Sequence, residues 1–182
     1  MIYHLSLHTA GIIAGVFLVL LGLIGFSEPD FVSIVKRFPR SYVAGVSLLT
    51  ICLLWTFWLL YTIPMGEFSA FRRPLLIALP IGYVLVLRFV DEFLAVRALG
   101  ILCLLAAEPL LDAAFLRYET SRLLVNVFAY LLILAGLFWV AIPYVLRDQI
   151  KWSARSVLRW RCLHAIAFIY GGIILTFAFT RY

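Results

Sequence analysis

The chain of 182 residues is 65% hydrophobic and 13% charged, with a formal net charge of +6 at pH 7. Soluble domains are roughly half apolar and about a quarter charged, so this composition excludes an ordinary soluble fold. The Lys and Arg residues lie between apolar runs, where they set topology and meet anionic lipid headgroups, which argues against a nucleic-acid partner. The apolar runs are continuous and rich in Leu. They predict an all-α, polytopic transmembrane helix bundle that occupies residues 1–182 as a single integral membrane domain.

The predicted membrane spans are six apolar segments near the roughly 20 residues that cross a bilayer. They cover residues 9–26, 42–63, 75–90, 98–116, 123–146 and 163–180. The chain starts without the positive region of a signal peptide, so we interpret the first segment as a retained span.

Residues 75–116 allow two interpretations. As one straight helix they would run about 63 Å, which is roughly twice the 30 Å hydrocarbon core. In the six-span model, the stretch RFVDEFLAVR from Arg88 to Arg97 turns the chain between two spans. In the five-span alternative, one helix covers roughly residues 82–107 and carries these charges inside the membrane.

The distribution of positive charge favours six spans. That model places ten Lys and Arg residues on one side and five on the other, which together make the 15 in the chain. The five-span alternative divides them seven to six, with two Arg inside the membrane, where a charge costs at least about 2.5 kcal/mol. We therefore expect a multi-pass protein of the plasma or inner membrane, with both termini outside and loops 1, 3 and 5 in the cytoplasm.

The charged corner in loop 3 contains no Gly or Pro that would mark a turn. Arg88 can reach Asp91 or Glu92 at helical spacing. We therefore interpret the corner as a compact, self-paired turn on the cytoplasmic side.

Loops 1 and 5 are predicted to form short interfacial helices. In SEPDFVSIVKRF of loop 1, Ser27 and Asp30 have capping-box spacing. The following apolar residues, Phe31, Ile34, Val35 and Phe38, recur on one helix face.

Loop 5, RDQIKWSARSVLRWR, combines a basic stripe with tryptophans. Its basic residues are spaced four apart: Arg147, Lys151, Arg155 and Arg159. Its apolar residues include two tryptophans, Trp152 and Trp160. A basic amphipathic helix of this kind lies well on anionic lipid headgroups. The alternative is a plain loop that only sets topology.

Ionisable residues inside the fourth predicted span are the strongest functional signal. Glu108 lies near the middle of this span, Asp112 follows one turn later on the same face, and Arg97 precedes Glu108 by three turns. Charged groups inside spans usually face a cavity or the bundle interior and often mark ion paths. His8 and Asn126 lie at the outer side, where they would complete a polar cavity with Asp112.

Small residues in the first and last spans predict close helix packing. Gly11, Gly15 and Gly22 share one stripe, and Ala167 and Gly171 form a small-xxx-small pair. Such residues let helix backbones approach closely, within one chain or against a partner.

The sequence contains no recognisable catalytic or metal-binding motif. The three cysteines form no CxxC pair, and two histidines four apart, His4 and His8, are weak metal ligands without a third. The sequence therefore predicts no cofactor, no metal site and no recognisable reaction centre.

Two functions fit these features. The first is a non-catalytic membrane subunit or partner-binding module, whose partner is another membrane protein or a second copy of the chain. The alternative is a small proton- or ion-coupled transporter or channel that uses the stripe of Arg97, Glu108 and Asp112. In both hypotheses the chain lies in the bilayer and contacts anionic lipid headgroups on the cytoplasmic side.

Overall fold

The fold is all helical in the computed structural model, which describes residues 3, 5–25, 29–90 and 92–181, apart from the side chains of residues 29–31. Within those ranges there are eight α-helices, two short 3₁₀ segments and no strand. The α-helices are α1 Leu7–Ile24, α2 Pro29–Arg37, α3 Tyr42–Thr62, α4 Arg72–Phe89, α5 Leu94–Ala114, α6 Arg122–Ala141, α7 Tyr144–Ser153 and α8 Val157–Arg181. The 3₁₀ segments are Phe38–Arg40 and Gly66–Phe71.

Six of the described helices are long and apolar enough to cross a membrane: α1, α3, α4 together with its preceding 3₁₀ segment, α5, α6 and α8. The all-α class is therefore confirmed, and the helices are those of a multi-pass membrane protein by length and composition. The short helices α2 and α7 occupy the predicted loops 1 and 5. The Ser27 of the expected capping box lies outside the described residues.

The chain turns between α4 and α5. Helix α4 ends at Phe89 and α5 begins at Leu94, so the continuous helix over residues 82–107 that five spans require is not formed. Phe93 has a φ of +57°, a left-handed conformation that interrupts a right-handed helix without the help of Gly.

The corner is not held by the predicted pairing of Arg88 with Glu92. Glu92 is exposed, and the only ion pair between described side chains joins Arg147 to Asp148. Asp91, the other expected partner of Arg88, lies outside the described residues. The backbone of Phe93, rather than an Arg88–Glu92 ion pair, therefore accounts for the turn in the described part of the corner.

Helix α5 is the centre of the bundle. It packs between α3 and α6 and also contacts α1, whereas α1 packs chiefly against α8. Helix α4 lies at the edge, packs mainly on α3 and buries none of its residues. A hydrogen bond of 2.8 Å between the Thr50 and Tyr83 hydroxyls links α3 to α4.

The contact between α1 and α8 depends on glycines that bring the two backbones together. A Cβ on Gly171 would lie 2.8 Å from the Val19 nitrogen and 2.9 Å from the Gly15 carbonyl oxygen. A Cβ on Gly22 would lie 2.8 Å from the backbone of Phe168. Gly11 is also buried on α1.

Glycines also bring α5 close to α6 and to α3. Gly100 and Gly136 face each other between α5 and α6, where a Cβ on Gly136 would lie 2.7 Å from the Gly100 carbonyl oxygen. A Cβ on Gly45 of α3 would lie 2.8 Å from the Ala95 nitrogen of α5. These single glycines lie in apolar runs without a GxxxG pattern.

Adjacent glycines of α8 provide a matched test of the crossing between α1 and α8. We expect Gly171→Ala to lower the free energy of unfolding by about 1–3 kcal/mol, because the added methyl overpacks the contact. Gly172 has no atom within 4 Å of an added Cβ, so Gly172→Ala should leave stability unchanged or raise it by up to about 1 kcal/mol. Unfolding in mixed micelles measures both, and equal losses for the two variants would contradict this packing.

Labelling of single cysteines tests the turn between α4 and α5. In a chain whose native cysteines are replaced, we expect Glu92→Cys to react with an impermeant maleimide from the cytoplasmic side only. Glu119→Cys, which lies beyond the other end of α5, should react from the opposite side only. Reaction of both positions from one side would overturn the topology.

Candidate functional site

Glu108 and Asp112 line one open cavity of about 530 Å³ at the end of α5, which we call the acidic cavity. Its other lining residues are Leu104, Ala107, Leu111, Phe115 and Ile133. The two carboxyl groups share this cavity because they lie one helical turn apart. Both residues are half-buried, so the carboxyl groups combine contact with the bundle and access from outside.

The acidic cavity lies nearer the helix end than the sequence indicates. Glu108 was expected near the middle of a span over residues 98–116. Helix α5 instead covers Leu94–Ala114. Glu108 is therefore about 9 Å, and Asp112 about 3 Å, from the end of the helix at 1.5 Å per residue.

Tyr3 of the N-terminal segment interacts with Glu108 and also contacts Trp55 of α3. The Trp55 Nε1–H donates a hydrogen bond of 2.8 Å to the Tyr3 hydroxyl oxygen, and this hydroxyl also interacts with Glu108. Burial raises the pKa of Tyr3 above its usual value, and the Glu108 carboxyl raises it further, against the opposing effect of Trp55. The Tyr3 hydroxyl therefore stays protonated and can donate to the carboxyl of Glu108.

Pro109 interrupts the helical hydrogen bonds beside Glu108. It is buried within α5 and has no N–H to donate to the carbonyl of Leu105. The turn that carries the two carboxyl groups is therefore less constrained than the rest of α5.

The other polar residues predicted for this site, Arg97, Asn126 and His8, do not line the acidic cavity. Arg97 precedes Glu108 by about 16 Å along α5, and its Nε is buried without a hydrogen-bond partner among the described residues. The Oδ1 of Asn126 on α6 is likewise buried and unpaired there. His8 lies edge-on to the Phe179 ring at 5.9 Å.

No metal site forms around these residues. The described side chains contain no group of three or more His, Cys, Asp or Glu residues that could hold a metal ion. His4, the expected companion of His8, lies outside the described residues.

The acidic cavity ends where α5 and α6 touch. Its lining includes Leu104 but not the next turn, where Gly100 meets Gly136. A Cβ on Gly100 would lie 2.9 Å from the Gly136 carbonyl oxygen, so the backbones leave no room between them. On this side the lining therefore ends at Leu104 and does not continue between the two helices.

A second polar site, which we call the basic cleft, lies at the opposite end of α5. It has a volume of about 500 Å³. Its lining joins loop 1 to α7 and consists of Lys36, Arg37, Pro39, Arg40, Ser41, Arg147 and Lys151. Five of these seven residues are cations and none is acidic, so the cleft is strongly positive.

The basic stripe predicted across loop 5 is broken. Helix α7 ends at Ser153 and α8 begins at Val157, so Arg155 and Arg159 do not continue the face of Arg147 and Lys151. The Arg159 guanidinium lies over the Trp152 ring at 5.0 Å. The Trp160 residue is buried, and its ring lies 4.3 Å from the His164 ring.

The fold and these two sites define a helical chain with six helices long and apolar enough to cross a membrane, and with an acidic cavity and a basic cleft at opposite ends of its central helix. Comparison with models of known families, with curated proteins and with solved structures finds no match to this chain.

A double-mutant cycle tests the contact between Tyr3 and Trp55. We expect Tyr3→Phe and Trp55→Phe each to lower the free energy of unfolding, with a coupling energy of about 0.5–1.5 kcal/mol, because both remove the same hydrogen bond. Trp58, whose ring centroid lies 5.6 Å from that of Tyr3, is the control. Phe retains an aromatic ring there, so the cycle of Tyr3→Phe with Trp58→Phe should show coupling close to zero. Equal coupling in both cycles would contradict the assignment.

Proposed function

We propose that the chain is a non-catalytic membrane protein, a subunit or partner-binding module, whose acidic cavity receives a positively charged group of its partner. The observation that carries this proposal is the shared cavity of Glu108 and Asp112. Neither carboxyl group forms an ion pair with any described cation. Like charges four residues apart on a helix repel, and a cation placed between them relieves that repulsion.

The contact between α5 and α6 favours binding over passage between these helices. A path for ions between α5 and α6 would have to cross the contact of Gly100 with Gly136, where the backbones touch. Arg97, which the transport hypothesis places on the path, lies beyond that contact and outside the cavity. The arrangement therefore supports a site that holds its ligand.

Contact of Glu108 with the N-terminal segment also favours recognition of a partner. Tyr3 interacts with Glu108, and the Tyr3 hydroxyl accepts a hydrogen bond from Trp55 of α3. A side chain that already has such an interaction loses less conformational entropy when it meets a ligand. Asp112 lies one turn nearer the helix end, and its carboxylate oxygens provide a second set of hydrogen-bond acceptors.

Proton- or ion-coupled transport is the second candidate, and Pro109 is the observation that favours it. The lost hydrogen bond beside Glu108 allows α5 to bend at the site. A bend at this position would move the two carboxyl groups relative to the rest of α5.

Paired neutral variants test the partner proposal. We expect the double variant Glu108→Gln and Asp112→Asn to lose a stoichiometric membrane partner, with affinity reduced by about 30-fold or more, because a close charge pair is broken. The control double variant is Glu67→Gln and Glu119→Gln, which removes the same charge from two exposed positions. Quantitative co-purification from native membranes measures both. A parent chain that purifies alone, or equal losses in both double variants, would overturn the proposal.

Flux through reconstituted liposomes separates the two candidates. We expect no proton or ion flux from the parent chain or from Glu108→Gln, because the contact of Gly100 with Gly136 separates the cavity from Arg97. Flux from the parent that disappears in Glu108→Gln would support transport in place of partner binding.

A further inference from the structure

The basic cleft gathers cations from two segments that are far apart in sequence. Lys36, Arg37 and Arg40 come from loop 1, and Arg147 and Lys151 come from α7. We infer that this cleft is a binding site for an organic phosphate that carries two negative charges, such as a phosphomonoester headgroup. This inference is independent of the acidic cavity at the other end of α5.

The cleft is built on a hydrophobic cluster and does not depend on flexible surface chains alone. Val96 of α5 and Leu146 and Ile150 of α7 are buried together. Val35 and Phe38 of loop 1 pack against them. Because the cluster fixes loop 1, α7 and the start of α5 together, the backbones that carry the five cations are positioned before any ligand binds.

The charge of the cleft is largely uncompensated. Among described side chains only Arg147 has an ion-pair partner, its neighbour Asp148 at 3.0 Å. The Arg147 guanidinium also lies 5.7 Å from the centre of the Phe93 ring, which holds it at the edge of the cleft. The other four cations repel one another across a shared space, and a bound anion removes that repulsion.

Phosphate matches this arrangement better than a carboxylate does. A phosphomonoester carries up to about two negative charges and three strong acceptor oxygens, whereas a carboxylate carries one charge on two oxygens. Arginine binds phosphate through two parallel hydrogen bonds, and the cleft contains three arginines. The volume of about 500 Å³ is that of a pocket for a small organic group, for which roughly 300–1,000 Å³ is usual.

Both a lipid and a soluble metabolite can present this group. The cleft lies at the ends of the helices that the six-span topology places in the cytoplasm, where headgroup and soluble phosphates are both accessible. The shared chemistry is a terminal phosphate, and the two sources differ in whether an acyl chain is attached. The experiment therefore includes one arm for each source.

The test uses the full chain in nanodiscs of phosphatidylcholine. In the lipid arm the discs also contain either phosphatidic acid, which has a terminal phosphate, or phosphatidylglycerol, which has a singly charged diester. Native mass spectrometry counts the lipids that stay bound to the protein. In the soluble arm, calorimetry measures binding of glycerol 3-phosphate to the protein in discs of phosphatidylcholine alone.

Two double variants with the same change in charge decide the result. We expect Arg37→Gln with Arg40→Gln to weaken binding of the terminal phosphate by at least about tenfold, because charge-assisted hydrogen bonds are lost. Arg155 and Arg159 lie at the same end of the bundle but do not line the cleft. The double variant Arg155→Gln with Arg159→Gln should therefore bind the terminal phosphate as the parent does. Retention of phosphatidic acid without binding of glycerol 3-phosphate identifies a lipid site, and the reverse identifies a soluble ligand.

Three results would overturn the inference. They are equal weakening in the two double variants, equal retention of phosphatidic acid and phosphatidylglycerol by a parent chain that also does not bind glycerol 3-phosphate, and no binding in either arm. Circular dichroism checks that each variant is folded. If the first double variant does not fold, Lys36→Gln with Lys151→Gln removes two other cations of the cleft and carries the same expectation.

Discussion

Direct contact between helix backbones at glycines is the constraint on which the bundle depends. Apolar side chains that leave lipid for another apolar surface gain little, so helices in a membrane associate through close packing and hydrogen bonds. Gly15 and Gly171 join α1 to α8, and Gly100 and Gly136 join α5 to α6. The contact with α6 also lies beside Leu104, where the lining of the acidic cavity ends, so the same small residues that stabilise α5 limit how far the cavity extends between α5 and α6.

Much of the fold could be predicted from the sequence, because the lengths of the apolar segments and the positions of the charged residues indicate where helices and turns lie. Continuous apolar segments predict six helices, and the placement of Lys and Arg favours a turn between residues 90 and 98. The break between Ser153 and Val157 could not be predicted, because basic residues continue at helical spacing through it. Phe93 could not be predicted either, since its left-handed backbone is imposed by the surrounding contacts and not by a turn-forming residue.

Fewer of the residues in the two sites could be predicted from the sequence. Glu108 and Asp112 were found because a carboxylate in an apolar run is conspicuous and because four residues make one helical turn. Tyr3 was missed because nothing in a local pattern relates an N-terminal tyrosine to Trp55 or Glu108. The basic cleft was missed because it joins two loops, and periodicity within one loop selected Arg155 and Arg159 instead.

The pairing of α1 with α8 has a consequence for biosynthesis. Helix α1 is made before α8, yet α8 provides its main contact surface. At roughly 5–20 residues per second, the wait between Gly22 and its neighbour Phe168 is on the order of ten seconds. During that time the glycine stripe has no native neighbour, so the emerging chain depends on the insertion machinery or on lipid to cover it. The contact between α1 and α8 therefore forms only after helices α2 to α7 and the loops between them have been synthesised, and the glycine stripe is one of the last surfaces of the described helices to be covered.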